Sequence, residues 1–169
     1  MNINTTPTAS VTINGEPLEF VQDFTYLGSI FCKENGGQKD TKERLGKGRC
    51  VFAKLLNIWK SNQYITKTKI RLYKSSVKSI LLYGSECWRE VKGDMAKINA
   101  FHIGCLRKIC RIFWPNNISN VELYKKTGCN SALLEIKCQQ LKWLGHVLRL
   151  PKDSIPKVAP RSTPPGKRK

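Results

Sequence analysis

The sequence contains little negative charge. Its 169 residues include 12 Asp and Glu against 30 Lys and Arg, which gives a formal net charge of +18. All of this excess lies after residue 34, because residues 1–34 contain a single basic residue, Lys33, against four acids. Such a balance predicts a polyanionic partner, either a nucleic acid or an anionic membrane surface, and argues against a neutral metabolic enzyme.

Long apolar runs and secretion signals are also missing. The longest apolar stretch, around residues 80–83, is far shorter than the roughly 20 residues that cross a bilayer. The N-terminus has neither the basic start nor the apolar run of a signal peptide. The seven cysteines are odd in number and form no Cys-x-x-Cys pair, which favours reduced thiols. We therefore expect an intracellular protein of the nucleus or cytoplasm, neither secreted nor inserted in a membrane.

Residues that would support catalysis are scarce. The sequence has no Asp-Asp or Asp-x-Asp pair, no phosphate-binding glycine-rich loop and no His-Glu-x-x-His motif. A zinc-binding module is an alternative that would use His102, Cys105 and Cys110, with Cys129 and Cys138, although their spacing is poor. Buried thiols and a core histidine are the simpler interpretation. We expect no metal, no cofactor, no small-molecule substrate and no enzymatic activity of this chain alone.

The N-terminal part has the alternating pattern of β-strands. After a polar, frayed segment over residues 1–9, apolar residues alternate on both sides of Asn14-Gly15, which is a strong signal for a hairpin. A third extended piece is predicted over residues 24–31. We therefore expect a β-hairpin element over residues 10–34, with two or three antiparallel strands.

From Asp40 onward the apolar period changes to that of helices. The expected fold is α+β and mainly α, with a helical domain over residues 39–150 and a Pro-rich basic tail over 151–169. The expected helices are 41–61 capped by Asp40 and Glu43, 67–84 capped by Thr66, 93–113 before Pro115, a short helix from Ser119 and Glu122 to Gly128, and a last helix opened by Ser131. In that last helix, Leu134, Leu141, Leu144 and Leu148 are expected to face the core.

Basic residues recur along several of these helices. Lys67, Arg71, Lys74 and Lys78 follow one another at helical spacing and predict a stripe of like charges, which repel unless a phosphate backbone neutralises them. Arg107 with Arg111, and Lys142 with His146 and Arg149, form smaller groups. An ordinary solvated face is the alternative for the stripe. A membrane-binding face is less favoured, because the apolar faces are expected to pack in a shared core.

The order of several blocks resembles the region that follows the polymerase palm in endonuclease–reverse transcriptases of non-LTR retrotransposons, particularly the RTE-like lineage. The blocks are Phe24-Thr25-Tyr26-Leu27-Gly28-Ser29, Thr68-Lys69-x-x-Leu72-Tyr73, Ser79-Ile80-Leu81-Leu82-Tyr83-Gly84-Ser85-Glu86-x-Trp88, Cys105-Leu106-Arg107-x-Ile109 and Leu141-Lys142-Trp143-Leu144-Gly145-His146. The resemblance implies that Phe24, Tyr26, Leu27 and Gly28 belong to a primer-grip-like hairpin. It implies that the helices form a thumb, which binds RNA, DNA or an RNA–DNA hybrid through phosphates.

The sequence also departs from that family. The fingers, the palm with its aromatic-x-Asp-Asp motif and the endonuclease domain have no counterpart here, so any Mg²⁺ would belong to the missing palm. The leading hypothesis is a nucleic-acid-binding, thumb-like fragment without activity of its own. A partial sequence of an active endonuclease–reverse transcriptase and a domesticated, stand-alone basic RNA-binding protein remain alternatives. The isolated chain is expected to be marginally stable or to aggregate, because the apolar face of its hairpin lacks a palm to pack against.

Overall fold

A computed structural model describes residues 12–14, 16–17, 21–26, 28–32 and 36–158. The chain is mainly helical, with short antiparallel strand pairs at its N-terminal end, as the sequence predicts. None of the described helices is both long and apolar enough to cross a membrane. The predicted frayed N-terminus over 1–9 lies outside the described residues. Residues 159–169 of the predicted basic tail also lie outside them.

The first strand pair is the predicted hairpin. Strand β1 (Thr12–Ile13) pairs with β2 (Glu16–Pro17), and Ile13 lies opposite Glu16. Asn14, in the connection, has a φ of 52°, the left-handed conformation that short hairpin turns require and that Asn tolerates. The Asn-Gly signal is therefore confirmed at this turn.

The second strand pair corrects the prediction of one extended piece over residues 24–31. Strand β3 (Asp23–Tyr26) turns back into β4 (Ser29–Cys32), with Tyr26 opposite Ser29. Gly28 has a φ of 81° in this turn, a conformation that glycine adopts without strain. The extended prediction was wrong because apolar residues lie on both sides of the reversal, and Gly28 alone signals the turn between them.

The helices follow in a single run. They are α1 (Gly36–Lys54), α2 (Leu56–Lys60), α3 (Thr66–Tyr73), a π-helical segment (Lys74–Lys78), α4 (Ser79–Leu81), a 3₁₀ turn (Ser85–Cys87), α5 (Lys92–Ile109), α6 (Asn120–Thr127), α7 (Ala132–Arg149) and α8 (Ile155–Val158). The predicted helix over 41–61 is divided at Leu55, and the predicted helix over 67–84 contains the π-helical segment. Helix α5 ends before the predicted residue 113.

Two predicted N-caps were wrong and two were right. Asp40 lies inside α1, because the helix begins earlier and the carboxylate is used in tertiary contacts. Thr66 is the first residue of α3, whose N-cap is Ile65. Ser119 and Glu122 form the predicted capping box of α6, and Ser131 accepts a hydrogen bond from the backbone N–H of Leu134 at the start of α7.

Helix α5 packs at the centre of the core. On one side lies a cluster that includes Phe52, Trp59, Tyr73 and Leu106. On the other side lies a cluster of Leu45, Leu81, Leu82, Trp88, Met95, Ile98, Ala132 and Ile136. Phe101 contacts both clusters, so the helices are joined through a shared apolar interior.

A buried polar chain crosses this interior. The hydroxyl of Tyr73 lies 2.7 Å from Nδ1 of His102, and Nε2 of His102 lies 3.0 Å from the carbonyl oxygen of Asn130. Burial lowers the pKa of His102 and raises the pKa of Cys105 to about 12. The histidine and the thiol are therefore neutral core groups, as the simpler interpretation held.

The predicted core face of α7 was wrong. Leu134, Leu141, Leu144 and Leu148 are 50%, 67%, 47% and 57% exposed, whereas Ala132, Ile136 and Val147 are buried. Helix α7 carries apolar residues on two sides. The side with Ala132 and Ile136 packs against α5 and the 3₁₀ turn, so the leucine side remains at the surface.

Candidate nucleic-acid interface

A basic groove lies between α3 and the C-terminal end of α6. Its cavity has a volume of about 560 Å³ and is lined by Thr66, Lys67, Ile70, Arg71, Lys74, Lys126, Thr127 and Gly128. Three residues of the predicted stripe, Lys67, Arg71 and Lys74, therefore line one cavity. Lys126 was not predicted as a site residue, because it comes from another helix and no local spacing relates it to the stripe.

The cations of this basic groove differ in how they are held. Lys67, Arg71 and Lys126 are exposed, and no acidic side chain of the described ranges forms an ion pair with them. Lys74 donates a hydrogen bond of 2.7 Å to the carbonyl oxygen of Gly128. A cation at this position also interacts favourably with the C-terminal end of the α6 dipole. The groove thus combines one anchored charge with three charges that face solvent.

Lys78 is set apart from the other three stripe residues. Its Nζ lies 2.6 Å from Oε1 of Glu135 on α7, and its side chain is only 13% exposed. The π-helical segment between Tyr73 and Ser79 explains the separation. Hydrogen bonds from i to i+5 widen the turn, so residues after Lys74 rotate away from the α-helical stripe.

Arg107 and Arg111 hold the loop that follows α5. Arg107 donates to Oδ1 of Asn117 at 2.7 Å and to the carbonyl oxygen of Ile118 at 2.8 Å. Arg111, whose φ is 55°, donates to the carbonyl oxygen of Lys60. Between these two attachments the loop exposes Phe113 and Trp114, the latter to 92%.

The basic groove continues toward that loop. A second cavity of about 360 Å³ shares Thr66 with the basic groove and is lined also by Tyr64, Ile65, Lys69 and Arg111. Tyr64 is 48% exposed at its rim. Lys69 is buried, and its Nζ donates to the carbonyl oxygens of Trp59 and Ser61 at 3.0 and 2.6 Å, so its role is structural. The surface thus runs from exposed cations to an exposed aromatic side chain.

Lys142 and Arg149 lie elsewhere. Both are exposed on α7, and neither lines the basic groove. His146 is exposed beside them, with its ring 5.4 Å from that of Trp143. The structure therefore does not bring this predicted group together with the residues of α3.

The primer-grip-like residues lie at the turn of the second hairpin. Phe24 and Tyr26 are 50% and 57% exposed, and their rings are stacked with centroids 6.3 Å apart. Such a pair is expected on one face of a strand, where residues i and i+2 are neighbours. Leu27 lies outside the described residues. Gly28 forms the tip, where an added Cβ would lie 3.2 Å from Nη2 of Arg44.

A buried ion pair attaches this hairpin to the helices. Asp40 accepts hydrogen bonds from Nε1 of Trp88 at 2.9 Å and from the backbone N–H of Ile30 at 3.3 Å. Arg44 lies 3.8 Å from Asp40 and donates to the carbonyl oxygen of Gly28. The Arg44 guanidinium also lies 4.5 Å from the ring centroid of Tyr83. The network fixes the exposed aromatic pair relative to α1.

The candidate zinc ligands do not converge. Among the residues that the structure describes, no three His, Cys, Asp or Glu residues come together in an arrangement that could hold a metal ion. Both ring nitrogens of His102 are engaged by Tyr73 and Asn130. The candidate zinc residues therefore do not form a site in these ranges.

Comparison with known proteins gives a family match over part of the chain. A family described as a domain of unknown function (DUF6451) matches residues 51–83, which run from the last turn of α1 to two residues beyond α4. This segment includes Lys67, Arg71 and Lys74 of the basic groove. No curated protein and no solved structure matches the chain.

Proposed function

We propose that this chain is a thumb-like, nucleic-acid-binding segment of a non-LTR retrotransposon reverse transcriptase. The observation that carries the proposal is the gathering of Lys67, Arg71 and Lys74 with Lys126 around one groove. Phosphates are the ligands that such a group of cations suits, because they neutralise charges that otherwise repel one another. The ligand class is therefore RNA, DNA or an RNA–DNA hybrid, bound through its backbone.

The neighbouring aromatic residues support the same proposal. Tyr64 lies at the rim of the cavity that continues the basic groove, and Trp114 is exposed on the loop held by Arg111 and Arg107. Aromatic rings beside cations provide stacking surfaces for bases without selecting a sequence. We propose that binding is therefore largely independent of sequence.

The proposed segment binds and does not catalyse. Two-metal phosphoryl transfer needs converging carboxylates, and this sequence has no Asp-Asp or Asp-x-Asp pair. In the proposed parent enzyme, the chemistry belongs to a palm, and the hairpin with Phe24 and Tyr26 contacts the primer side. The attachment of that hairpin to α1 through Asp40 and Arg44 supports a fixed placement beside the thumb.

Salt-dependent binding tests this proposal. A fluorescently labelled RNA–DNA hybrid is titrated with the full chain at several salt concentrations between about 50 and 200 mM. The affinity is expected to fall steeply as salt rises, and to be similar for hybrids of unrelated sequence. An affinity that does not change with salt would contradict a phosphate-binding groove.

A further inference from the structure

Helix α7 has a second apolar face at the surface. On its first face, Ala132, Ile136 and Val147 are buried, and Trp143 of the same side is 47% exposed. On the other side, Leu141 and Leu148 are 67% and 57% exposed. A surface helix normally needs only one apolar face, so the second one calls for a separate explanation.

The exposed leucines have the spacing of a helix-pairing seam. Leu134, Leu141 and Leu148 recur every seven residues, and Leu144 lies between the last two. Residues with this spacing line one side of a helix and meet the knobs of a second helix. With a rise of about 1.5 Å per residue, the leucine seam extends for about 21 Å along α7.

An apolar cavity adjoins the leucine seam at its N-terminal end. It lies between α5 and α7, has a volume of about 560 Å³, and is lined by Leu134 of the seam together with Met95, Ala96 and Leu133. The exposed apolar surface therefore continues from the side of α7 into a groove. A helix laid along such a surface can place a large side chain in the cavity.

The charges around the leucine seam are mostly basic. Lys137 lies within the seam, between Leu134 and Leu141. Lys142 and Arg149 each follow a seam leucine and therefore lie together on one flank. Glu135 of the same helix is paired with Lys78 at 2.6 Å, and the rim of the cavity carries Lys92 with one acid, Glu90. A partner with acidic flanks complements this face.

We propose that the leucine seam of α7 binds an amphipathic helix of a partner protein, with apolar residues on one face and Asp or Glu on its flanks. A second copy of this chain fits less well, because a symmetric contact would bring Lys137, Lys142 and Arg149 against basic residues. A nucleic acid would leave the leucines exposed. The proposal concerns a surface separate from the basic groove and does not depend on nucleic-acid binding.

Synthetic peptides of about three heptads test the proposal. One peptide has Leu at the a and d positions and Glu at e and g, and its matched control has Lys in place of every Glu. Calorimetry with the full chain is expected to show one-to-one binding of the Glu peptide, about tenfold tighter or better than the Lys peptide. Equal affinity for the two peptides, or no binding of either, would overturn the proposal.

Variants of the full chain locate the binding site. L141S/L148S is expected to weaken binding of the Glu peptide by about tenfold or more, whereas V121S, which alters a residue 72% exposed on α6, should leave it unchanged. The charge-reversing variant K142E/R149E keeps the leucines and is expected to bind the Lys peptide better than the Glu peptide. Unchanged preference in that variant would contradict the assigned complementarity, even if the double serine variant failed to fold.

Two further controls distinguish other occupants. Sedimentation that shows a dimer of the chain, separated into monomers by L141S/L148S, would assign the leucine seam to a second copy and overturn the proposal. Binding to vesicles of phosphatidylcholine and phosphatidylserine that is lost in the same variant would assign it to a lipid surface and also overturn it. A monomer that does not bind these vesicles supports the proposal.

Discussion

The Nζ atom of Lys74, the residue that directly follows α3, lies 2.7 Å from the carbonyl oxygen of Gly128 at the end of α6. This contact closes one side of the basic groove and joins two helices that are distant in sequence. Gly128 caps α6 in the left-handed conformation, with a φ of 58°, and so directs the carbonyl group at the helix end. The charge of Lys74 therefore has both a structural partner and a place among the cations of the groove.

The first prediction concerns that contact. K74M is expected to lower the free energy of unfolding by about 0.5–1 kcal/mol, because the hydrogen bond is charge-assisted but exposed to solvent. Urea denaturation followed by circular dichroism measures the change. K67M, which removes an exposed charge from the adjoining helix α3 without breaking such a bond, is the control and should alter stability less.

The second prediction concerns the buried pair that attaches the hairpin. D40A is expected to lower the free energy of unfolding by about 3 kcal/mol or more, because it leaves the guanidinium of Arg44 buried without its countercharge. Asp40 and Arg44 have side chains only 8% and 7% exposed. E43A, which breaks the more exposed ion pair of Glu43 with Lys47 on the same helix, should cost about 0.5 kcal/mol or less. Similar losses in the two variants would contradict the role assigned to Asp40.

The third prediction concerns pH. Burial lowers the pKa of His102 below its ordinary value of 6.5, so at a pH below 6.5 the unfolded chain binds a proton that the folded chain resists. Above a pH of about 6.5, His102 therefore does not lower the free energy of unfolding. As the pH falls from 6.5 toward the pKa of the folded state, the free energy of unfolding decreases. Urea midpoints at about pH 7.5 and about pH 5.5 measure this. H146Q, at an exposed histidine, should keep the dependence, whereas H102Q should weaken it.

The fourth prediction concerns the two faces of α7. I136A is expected to cost about 2–5 kcal/mol of stability, because Ile136 is only 1% exposed in the core. L141A should cost about 0.5 kcal/mol or less, because its side chain is mostly in solvent. Thermal denaturation of both variants makes the comparison. If L141A lowered the free energy of unfolding as much as I136A does, Leu141 would have to be buried, and the assignment of the leucine seam to the surface would be wrong.

Features set by neighbouring residues were predictable from the sequence. Examples are the caps at Ser119 and Ser131, the end of α6 at Gly128 and the turn at Asn14. Each of these features depends on a few adjacent residues, so the local sequence was enough to predict it. The core face of α7 was not predictable from the sequence. The helix has apolar residues on two sides, and the leucine side is the more hydrophobic, although Ala132 and Ile136 on the other side are the buried residues.

The candidate site was also predictable only where local sequence determines it. The spacing of Lys67, Arg71 and Lys74 gave three residues of the basic groove, since they share one α-helical turn pattern. Because of the π-helical segment, Lys78 points away from the other three residues and forms an ion pair with Glu135. No local sequence pattern predicts such a segment. Lys126 was missed because only the packing of α6 beside α3 brings it to the groove.

The most direct test of nucleic-acid binding compares two variants of equal charge. K67Q/R71Q/K126Q removes three cations of the basic groove and keeps Lys74, whereas K42Q/R89Q/K152Q removes three exposed cations outside it. With a labelled RNA–DNA hybrid, the groove variant is expected to lose about tenfold or more in affinity and to reduce the salt slope by about 3, while the control loses much less. Equal losses in the two variants would show that only overall charge matters, and would contradict a phosphate-binding groove.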